Sequence, residues 1–130
     1  MIKYHFDGTT PKDKKTVFVF GSNLSGIHGA GAALEAKNNF GAVKSVVEGI
    51  SGRSYAIPTK NRILNTLPLS VIRASVEKFL FYAEMHKETE FFVTRVGCGL
   101  AGYREEDIAS MFRSAGENCS FSFNWKGYLE

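Results

Sequence analysis

The chain of 130 residues has only two cysteines and three prolines, and its apolar runs are far too short to span a bilayer. Cys98 and Cys119 have neither the spacing of a metal site nor the number that a disulfide framework needs, so we expect no metal, no cofactor and a reducing compartment. An N-terminal apolar segment of the signal-peptide type is also missing. These absences predict a cytoplasmic protein without a membrane partner.

A concentration of charge of one sign is absent as well. Sixteen Lys and Arg residues are interspersed with thirteen Asp and Glu residues, which gives a formal net charge of +3. Because proteins that bind nucleic acids usually carry a concentrated basic stripe, we do not expect a nucleic-acid partner. The hydrophobic content of 44% is enough for one core, and residues 1–130 are therefore predicted to form a single domain.

Glycine is plentiful, and many of the thirteen glycines fall in two loops. The first glycine loop, residues 21–31, follows an apolar strand-like run at 16–20 and leads into a helix predicted over 30–39. The second glycine loop, residues 97–103, follows a similar run at 91–96 and precedes a predicted helix. Glycine allows close approach of a ligand to the backbone, and unpaired N–H groups at a helix start attract phosphate. Each loop alone is equally compatible with a simple tight turn.

The remaining pattern alternates strands with helices. Further strands are predicted over 1–6, 54–57 and 118–123, and further helices over about 68–86 and 105–115, whereas 42–52 is either a brief strand or an irregular connection. Pro58 is expected to stop the strand that precedes it. Alternation of this kind predicts a mainly parallel sheet covered on both faces. Since parallel strands end at one edge, both glycine loops should face one crevice and hold a ligand with more than one phosphate.

Two motifs resemble those of the macrodomain family. Val19-Phe20-Gly21-Ser22-Asn23, followed by Gly29-Ala30-Gly31, is similar to the first motif of that family. The stretch from Val96 to Tyr103 resembles its second loop at every glycine, and Ser54 to Thr59 takes the place of the intervening strand. The resemblance covers about residues 16–112. It implies a three-layer α/β/α macrodomain-like fold with a central mixed, mainly parallel sheet, which binds ADP-ribose or a related NAD-derived nucleotide.

The resemblance also implies a set of site residues. Asn23 and Tyr103 are expected to lie at the ribose distal to adenine, and the amides of both loops are expected to hold the diphosphate. The expected ligand-binding residues are Gly21, Ser22, Asn23, Gly29, Ala30, Gly31, Pro58, Gly97, Cys98, Gly99, Leu100, Ala101, Gly102 and Tyr103. The acid that recognises adenine in many members has Asp7 as its main early candidate here. Catalysis at the distal ribose would use Asn23 to orient the ribose or a water and His28 to move a proton.

Each of these roles has a structural alternative. Asn23 is equally suited to bracing its loop, and His28 to being an exposed loop histidine. Cys98 stands where the family usually has threonine or serine and is either a packed small residue or a nucleophile. Lys60 and Arg62 either pair with phosphate or keep a loop soluble. Trp125, the only tryptophan, either stacks on adenine or closes the core.

Three functions compete at this point. The first is a hydrolase for ADP-ribose derivatives, of the ADP-ribose 1″-phosphate phosphatase or ADP-ribosyl hydrolase type. The second is a non-catalytic reader of ADP-ribosylated protein or a sponge for a nucleotide, which is favoured by Phe20, since many family members have an asparagine there. The third is a Rossmann-type nucleotide-binding enzyme, which lacks its expected acid about twenty residues after the glycines.

Overall fold

The computed structural model describes residues 2–99 and 101–130. Six strands and four α-helices follow one another along the chain. In order they are β1 Lys3–His5, β2 Val17–Asn23, α1 Gly31–Asn39, β3 Gly49–Ser51, β4 Ser54–Lys60, α2 Leu69–Glu84, β5 Phe91–Val93, α3 Glu105–Ala109, β6 Cys119–Ser122 and α4 Lys126–Leu129. Short 3₁₀ turns at Ser110–Phe112 and Phe123–Trp125 complete the elements. None of the described helices has the length and apolarity that a membrane span requires.

The strands form one mixed sheet in the order β1-β6-β5-β2-β4-β3. Every neighbouring pair is parallel except β3 with β4, which is antiparallel. The mixed, mainly parallel sheet predicted from the sequence is therefore confirmed. Its strand order differs from the doubly wound order of dinucleotide-binding folds.

Alternation along β2 divides the core into two layers. Val17 and Val19 point to one face of the sheet and join the larger cluster under α2 and α3, whereas Phe18 and Phe20 point to the other face, under α1. Within α2 the stripe of Ile72, Val76, Phe79 and Ala83 is buried, as its three- and four-residue spacing predicts. The result is the expected three-layer α/β/α arrangement.

Several element boundaries differ from the predictions. The strand predicted over 16–20 continues to Asn23, and the run at 91–96 is a strand only to Val93. The strand expected to stop at Pro58 continues to Lys60. Because β3 pairs only with Ser54 to Ala56, the edge of β4 that faces away from β2 has no neighbour among the described strands at Pro58, and a missing N–H costs little at such an open edge. The helix expected over 105–115 is α-helical only to Ala109 and then tightens, since the Ser110 hydroxyl donates to the Glu106 carbonyl, 3.1 Å away.

The structure also has two elements after β6 that the sequence pattern did not predict. Residues 123–129 form a 3₁₀ turn and α4, and Trp125 is fully buried against Phe112 and Phe121. The indole Nε1–H donates to the carboxylate of Glu105. Of the two roles left open for Trp125, the structure shows closure of the core.

Candidate functional site

A cavity of about 770 Å³ runs along the edge of the sheet where the parallel strands end. It extends from the end of β1, past the ends of β5 and β2, to the end of β4. Both glycine loops lie on its wall, because β2 and β5 are adjacent and parallel. Of the sequence-predicted site residues, the cavity is lined by Gly21, Ser22, Asn23, Gly29, Ala30, Gly31, Gly97, Gly99 and Ala101. The volume is in the range of small-molecule sites in proteins.

Asn23 is held by its own loop. Its side-chain oxygen accepts hydrogen bonds from the Ser25 hydroxyl, from the Ser25 N–H at 3.1 Å and from the Ile27 N–H at 3.4 Å. Its side-chain amide donates to the Ile27 carbonyl at 2.8 Å. The same residue also lines the cavity, so its bracing of the loop and its position beside a ligand are compatible.

His28 lies on the other side of the first glycine loop from the cavity. The imidazole is 3% exposed and packs edge-on against Phe20, with 5.3 Å between the ring centroids. Burial lowers the pKa of His28, and the nearby charge of Lys37 lowers it further. The structure thus shows a buried neutral ring. His28 is neither the exposed loop histidine nor the residue beside the ligand that the sequence allows.

The second glycine loop uses its glycines for different purposes. Gly97 has a φ of +77° and lies against Ile108 of α3, so that a Cβ at this position would be 3.1 Å from the Ile108 Cδ1 atom. Gly99 has an ordinary φ, and a Cβ there would meet nothing within 4 Å. Gly97 therefore serves the turn and the packing of α3, whereas Gly99 leaves open space at the cavity wall.

Cys98 and Tyr103 face the protein interior. Both pack against the larger core cluster, and the Tyr103 hydroxyl donates to the Leu67 carbonyl at 2.7 Å. Burial, followed by the adjacent Glu105 carboxylate, raises the pKa of the Cys98 thiol to about 12. This thiol is protonated at neutral pH, which argues against a nucleophile.

Pro58 and Gly102 are likewise absent from the cavity wall as the described residues form it, and Leu100 lies outside the described residues. Pro58 is buried within β4, opposite Ser22 of β2. Gly102 has a φ of +85° and closes the turn by donating its N–H to the Gly99 carbonyl, 3.1 Å away.

The β1 end of the cavity was not predicted as a group. The His5 ring stacks on Phe92 with 3.6 Å between the centroids, and its Nδ1 is 2.7 Å from the Ser120 hydroxyl. Burial lowers the pKa of His5 to about 4, although the charge of Asp7 opposes this shift. His5 is thus neutral at physiological pH. Only its place at the end of an apolar strand could have indicated it from sequence.

An ion-pair chain lies at the same end. The Arg95 guanidinium holds Asp7 with two hydrogen bonds, from Nε at 3.0 Å and from a terminal nitrogen at 2.8 Å, and its other terminal nitrogen donates to Glu105. Asp7 and Arg95 both line the cavity. Because the two carboxylates flank one guanidinium, the cation that follows β5 is already neutralised by protein groups.

The β4 end is basic and open. Lys60 and Arg62 line the wall together with Leu64, whose side chain is largely exposed, as is that of its neighbour Ile63. The loop that carries them is tied to the second glycine loop, because the Thr66 hydroxyl donates to the Ala101 carbonyl at 2.7 Å. The cavity therefore has an aromatic end, a middle rich in backbone amides and a basic mouth.

Solved structures with a similar fold include a macrodomain and a DarTG protein in complex with ADP-ribose. The macrodomain of Mycobacterium tuberculosis DarG is 19% identical, with a TM-score of 0.71 over 94% of this chain and 97% of that chain. Thermosipho africanus DarTG in complex with ADP-ribose is 14% identical, with a TM-score of 0.63 over 86% of this chain and 39% of that chain.

A third similar structure is a protein of unknown function from Bacteroides thetaiotaomicron, 18% identical over 94% of this chain and 97% of that chain, with a TM-score of 0.59. Neither a scan of family models nor a search of curated proteins finds a match. At these identities the likeness establishes the fold alone.

Proposed function

We propose that this chain, which has the macrodomain fold, binds ADP-ribose in the cavity at the carboxyl ends of its strands. The observation that carries the proposal is that both glycine loops line one open cavity of suitable volume. The complex of Thermosipho africanus DarTG with ADP-ribose, a structure of the same fold, supports this choice of ligand.

The diphosphate lies in the middle of the cavity in this proposal. The first turn of α1 points at this region, and its N-cap residue, Ala30, makes no side-chain capping hydrogen bond. The N–H groups of that turn are therefore free of a competing side-chain acceptor, and the positive end of the helix dipole favours an anion. Gly99, on the second loop, has no side chain to obstruct the phosphates.

The two ends of the cavity orient the nucleotide. A planar base needs an apolar surface and finds the His5 ring, which is neutral and is backed by Phe92, beside the Asp7 and Arg95 pair. The distal ribose then lies at the β4 end near Asn23 and Lys60. A group attached to its C1″ would leave through the open mouth, so the proposed ligands include ADP-ribose attached to a protein.

Binding without turnover is the form of the proposal that the geometry favours. The sequence predicts that hydrolysis at C1″, whether of a phosphate, an ester or a glycosidic link, would use Asn23 and His28. The Asn23 oxygen is occupied by loop donors, and the His28 ring is buried behind the loop. The proposed protein function is thus that of a reader or sponge for ADP-ribose. Its two free cysteines are consistent with a reducing cytoplasm as the place where it works.

Calorimetric titration of the wild-type chain with ADP-ribose, ADP-ribose 1″-phosphate, NAD and AMP tests this proposal. We expect ADP-ribose to bind and to raise the unfolding temperature in a concentration-dependent way, with NAD and AMP weaker. Failure of ADP-ribose to bind would overturn the proposal. Release of phosphate from ADP-ribose 1″-phosphate, or of ADP-ribose from a modified protein, would replace the reader with the hydrolase.

Gly99→Asp locates the diphosphate. The new side chain has space and causes no backbone strain, but it places a carboxylate at the wall, so the affinity for ADP-ribose should fall by about tenfold or more. Gly99→Asn adds nearly the same volume without charge and should lose much less. Gly127→Asp, at an exposed glycine of α4 with equally open surroundings, is the matched control and should bind as the wild type does. Equal affinities of all three variants would remove this loop from the site.

A further inference from the structure

The buried ring of His28 belongs to the first glycine loop but does not line the cavity. Its chain neighbours Ile27 and Gly29 line the cavity, whereas the ring itself packs on the opposite side of the loop, against Phe20 of β2. The loop therefore carries residues that line the cavity and, between them, a side chain that is buried away from it.

Hydrogen bonding at His28 is incomplete. The ring Nε2 lies 3.3 Å from the Val43 carbonyl, and since a carbonyl can only accept, Nε2 carries the proton. The other nitrogen, Nδ1, is then an acceptor, and it is buried without a hydrogen-bond partner among the described residues. An aliphatic side chain would fill the same space without an unpaired polar atom, so packing alone does not account for a histidine here.

The surroundings oppose a positive charge on this ring. From β2 the ring is packed by Phe20, and the segment 41–47 contributes the Val43 carbonyl, while its one titratable residue, Lys44, is exposed. The charge that acts on the ring comes from Lys37 of α1 and is positive. Glu35, the acid of α1, lines the cavity. A protonated imidazole would therefore leave this position for water.

The loop and the segment 41–47 are tied together at three points. The Ser45 N–H donates to the Gly26 carbonyl at 3.1 Å, and the Ser22 hydroxyl donates to the Val47 carbonyl at 2.6 Å. The third tie is the bond from His28 to Val43, and it is the one that depends on a titratable group.

We propose that His28 is a positioning residue whose neutral ring locks the first glycine loop in its ligand-binding conformation, and that protonation of the ring releases the loop and weakens binding. The inference rests on the proposed binding of ADP-ribose. It assigns no chemistry to His28: the ring touches no ligand and acts through the position of the backbone amides that follow it.

The dissociation constant for ADP-ribose, measured at pH 7.5 and 5.0, tests the proposal. Because protonation is expected to release the loop, the dissociation constant of the wild type should rise by about threefold or more at the lower pH. His28→Gln keeps an N–H for the Val43 carbonyl but cannot be protonated, so it should bind like the wild type at pH 7.5 and change by less than about twofold. Because both proteins retain His5, any shared pH dependence comes from other groups. A rise in the wild type no greater than in the variant overturns the proposal.

Hydrogen exchange without ligand separates this inference from the proposed function. After correction for intrinsic exchange rates, residues 24–30 of the wild type should lose protection between pH 7.5 and 5.0, whereas the same residues of His28→Gln should not. Exchange in α2, which packs on the opposite face of the sheet, should remain unchanged and serves as the internal control. Equal protection of the loop in both proteins at pH 5.0 would refute the proposed role of His28 even if ADP-ribose binds. Loss of protection in the wild type alone, in a chain that does not bind ADP-ribose, would refute only the proposed function.

Discussion

Comparison of Gly26→Ala with Gly8→Ala separates two costs of adding a side chain to a glycine, which are backbone strain and collision with neighbouring atoms. Gly26 has a φ of +76°, and a Cβ built on it would lie 2.6 Å from the Ser45 Cα and 2.8 Å from the Ser45 nitrogen. Gly8 has nearly the same φ, +78°, but a Cβ there would meet nothing within 4 Å. Gly8→Ala thus measures the backbone strain alone, and Gly26→Ala measures that strain plus a collision with backbone.

The magnitudes follow from these distances. A left-handed conformation costs an alanine about 1–2 kcal/mol, of which about 0.4–1 kcal/mol is offset by the lower entropy of the unfolded chain. Gly8→Ala should therefore lower the free energy of unfolding by at most about 1.6 kcal/mol. At Gly26 the obstructing atoms belong to a backbone held by the hydrogen bond from the Ser45 N–H to the Gly26 carbonyl, so overpacking adds about 1–3 kcal/mol.

Equilibrium unfolding in urea is the appropriate assay, because the m value reveals whether the two variants unfold from comparably compact states. With m of about 1–3 kcal/mol per molar, the extra cost at Gly26 corresponds to a midpoint about 1 M lower than that of Gly8→Ala. Coincident midpoints would show that the segment around Ser45 yields freely, and the bracing of the first glycine loop by residues 41–47 would be refuted.

Two further predictions concern titratable groups. The folded-state pKa of His5 is about 4 and the unfolded value is about 6.5, so the unfolded chain takes up the proton first and the free energy of unfolding should fall as the pH drops from 6.5 towards 4. In urea titrations, His5→Gln should lose less stability than the wild type over this interval. Identical pH profiles of the two proteins would contradict the burial of His5. Burial raises the pKa of the Cys98 and Cys119 thiols to about 12. Both thiols should therefore react with iodoacetamide at pH 8 far more slowly in the folded chain than in urea, as measured by mass spectrometry. Rapid labelling of Cys98 in the folded protein would show that it is a reactive thiol.

Local patterns were sufficient for most of the elements and for the meeting of the two glycine loops at one edge of the sheet. The continuous apolar run at 16–20 predicts a buried strand, and the spacing of Ile72, Val76 and Phe79 predicts the inward stripe of α2; both are confirmed. The two glycine loops were expected to meet because parallel strands end at one edge, and both line one cavity. The macrodomain-like fold implied by their motifs is confirmed by the structural matches.

Long-range contacts were beyond the reach of such patterns. Whether Pro58 ends its strand depends on where β3, a separate segment, stops pairing. The role of His28 depends on Phe20 and Val43, which are brought to it by the sheet and by the segment after α1. In the same way, the pairing of Asp7 with Arg95 joins residues that are 88 positions apart, and no local signal encodes it.

The sequence by itself therefore determined most of the strands and helices and the positions of the two glycine loops, because hydrophobic period and glycine act over a few residues. The tertiary structure alone decided which side chains face the cavity and which are buried behind its loops. That choice is made by burial and by partners distant in sequence, and these also set the charge states of His5, His28 and Cys98.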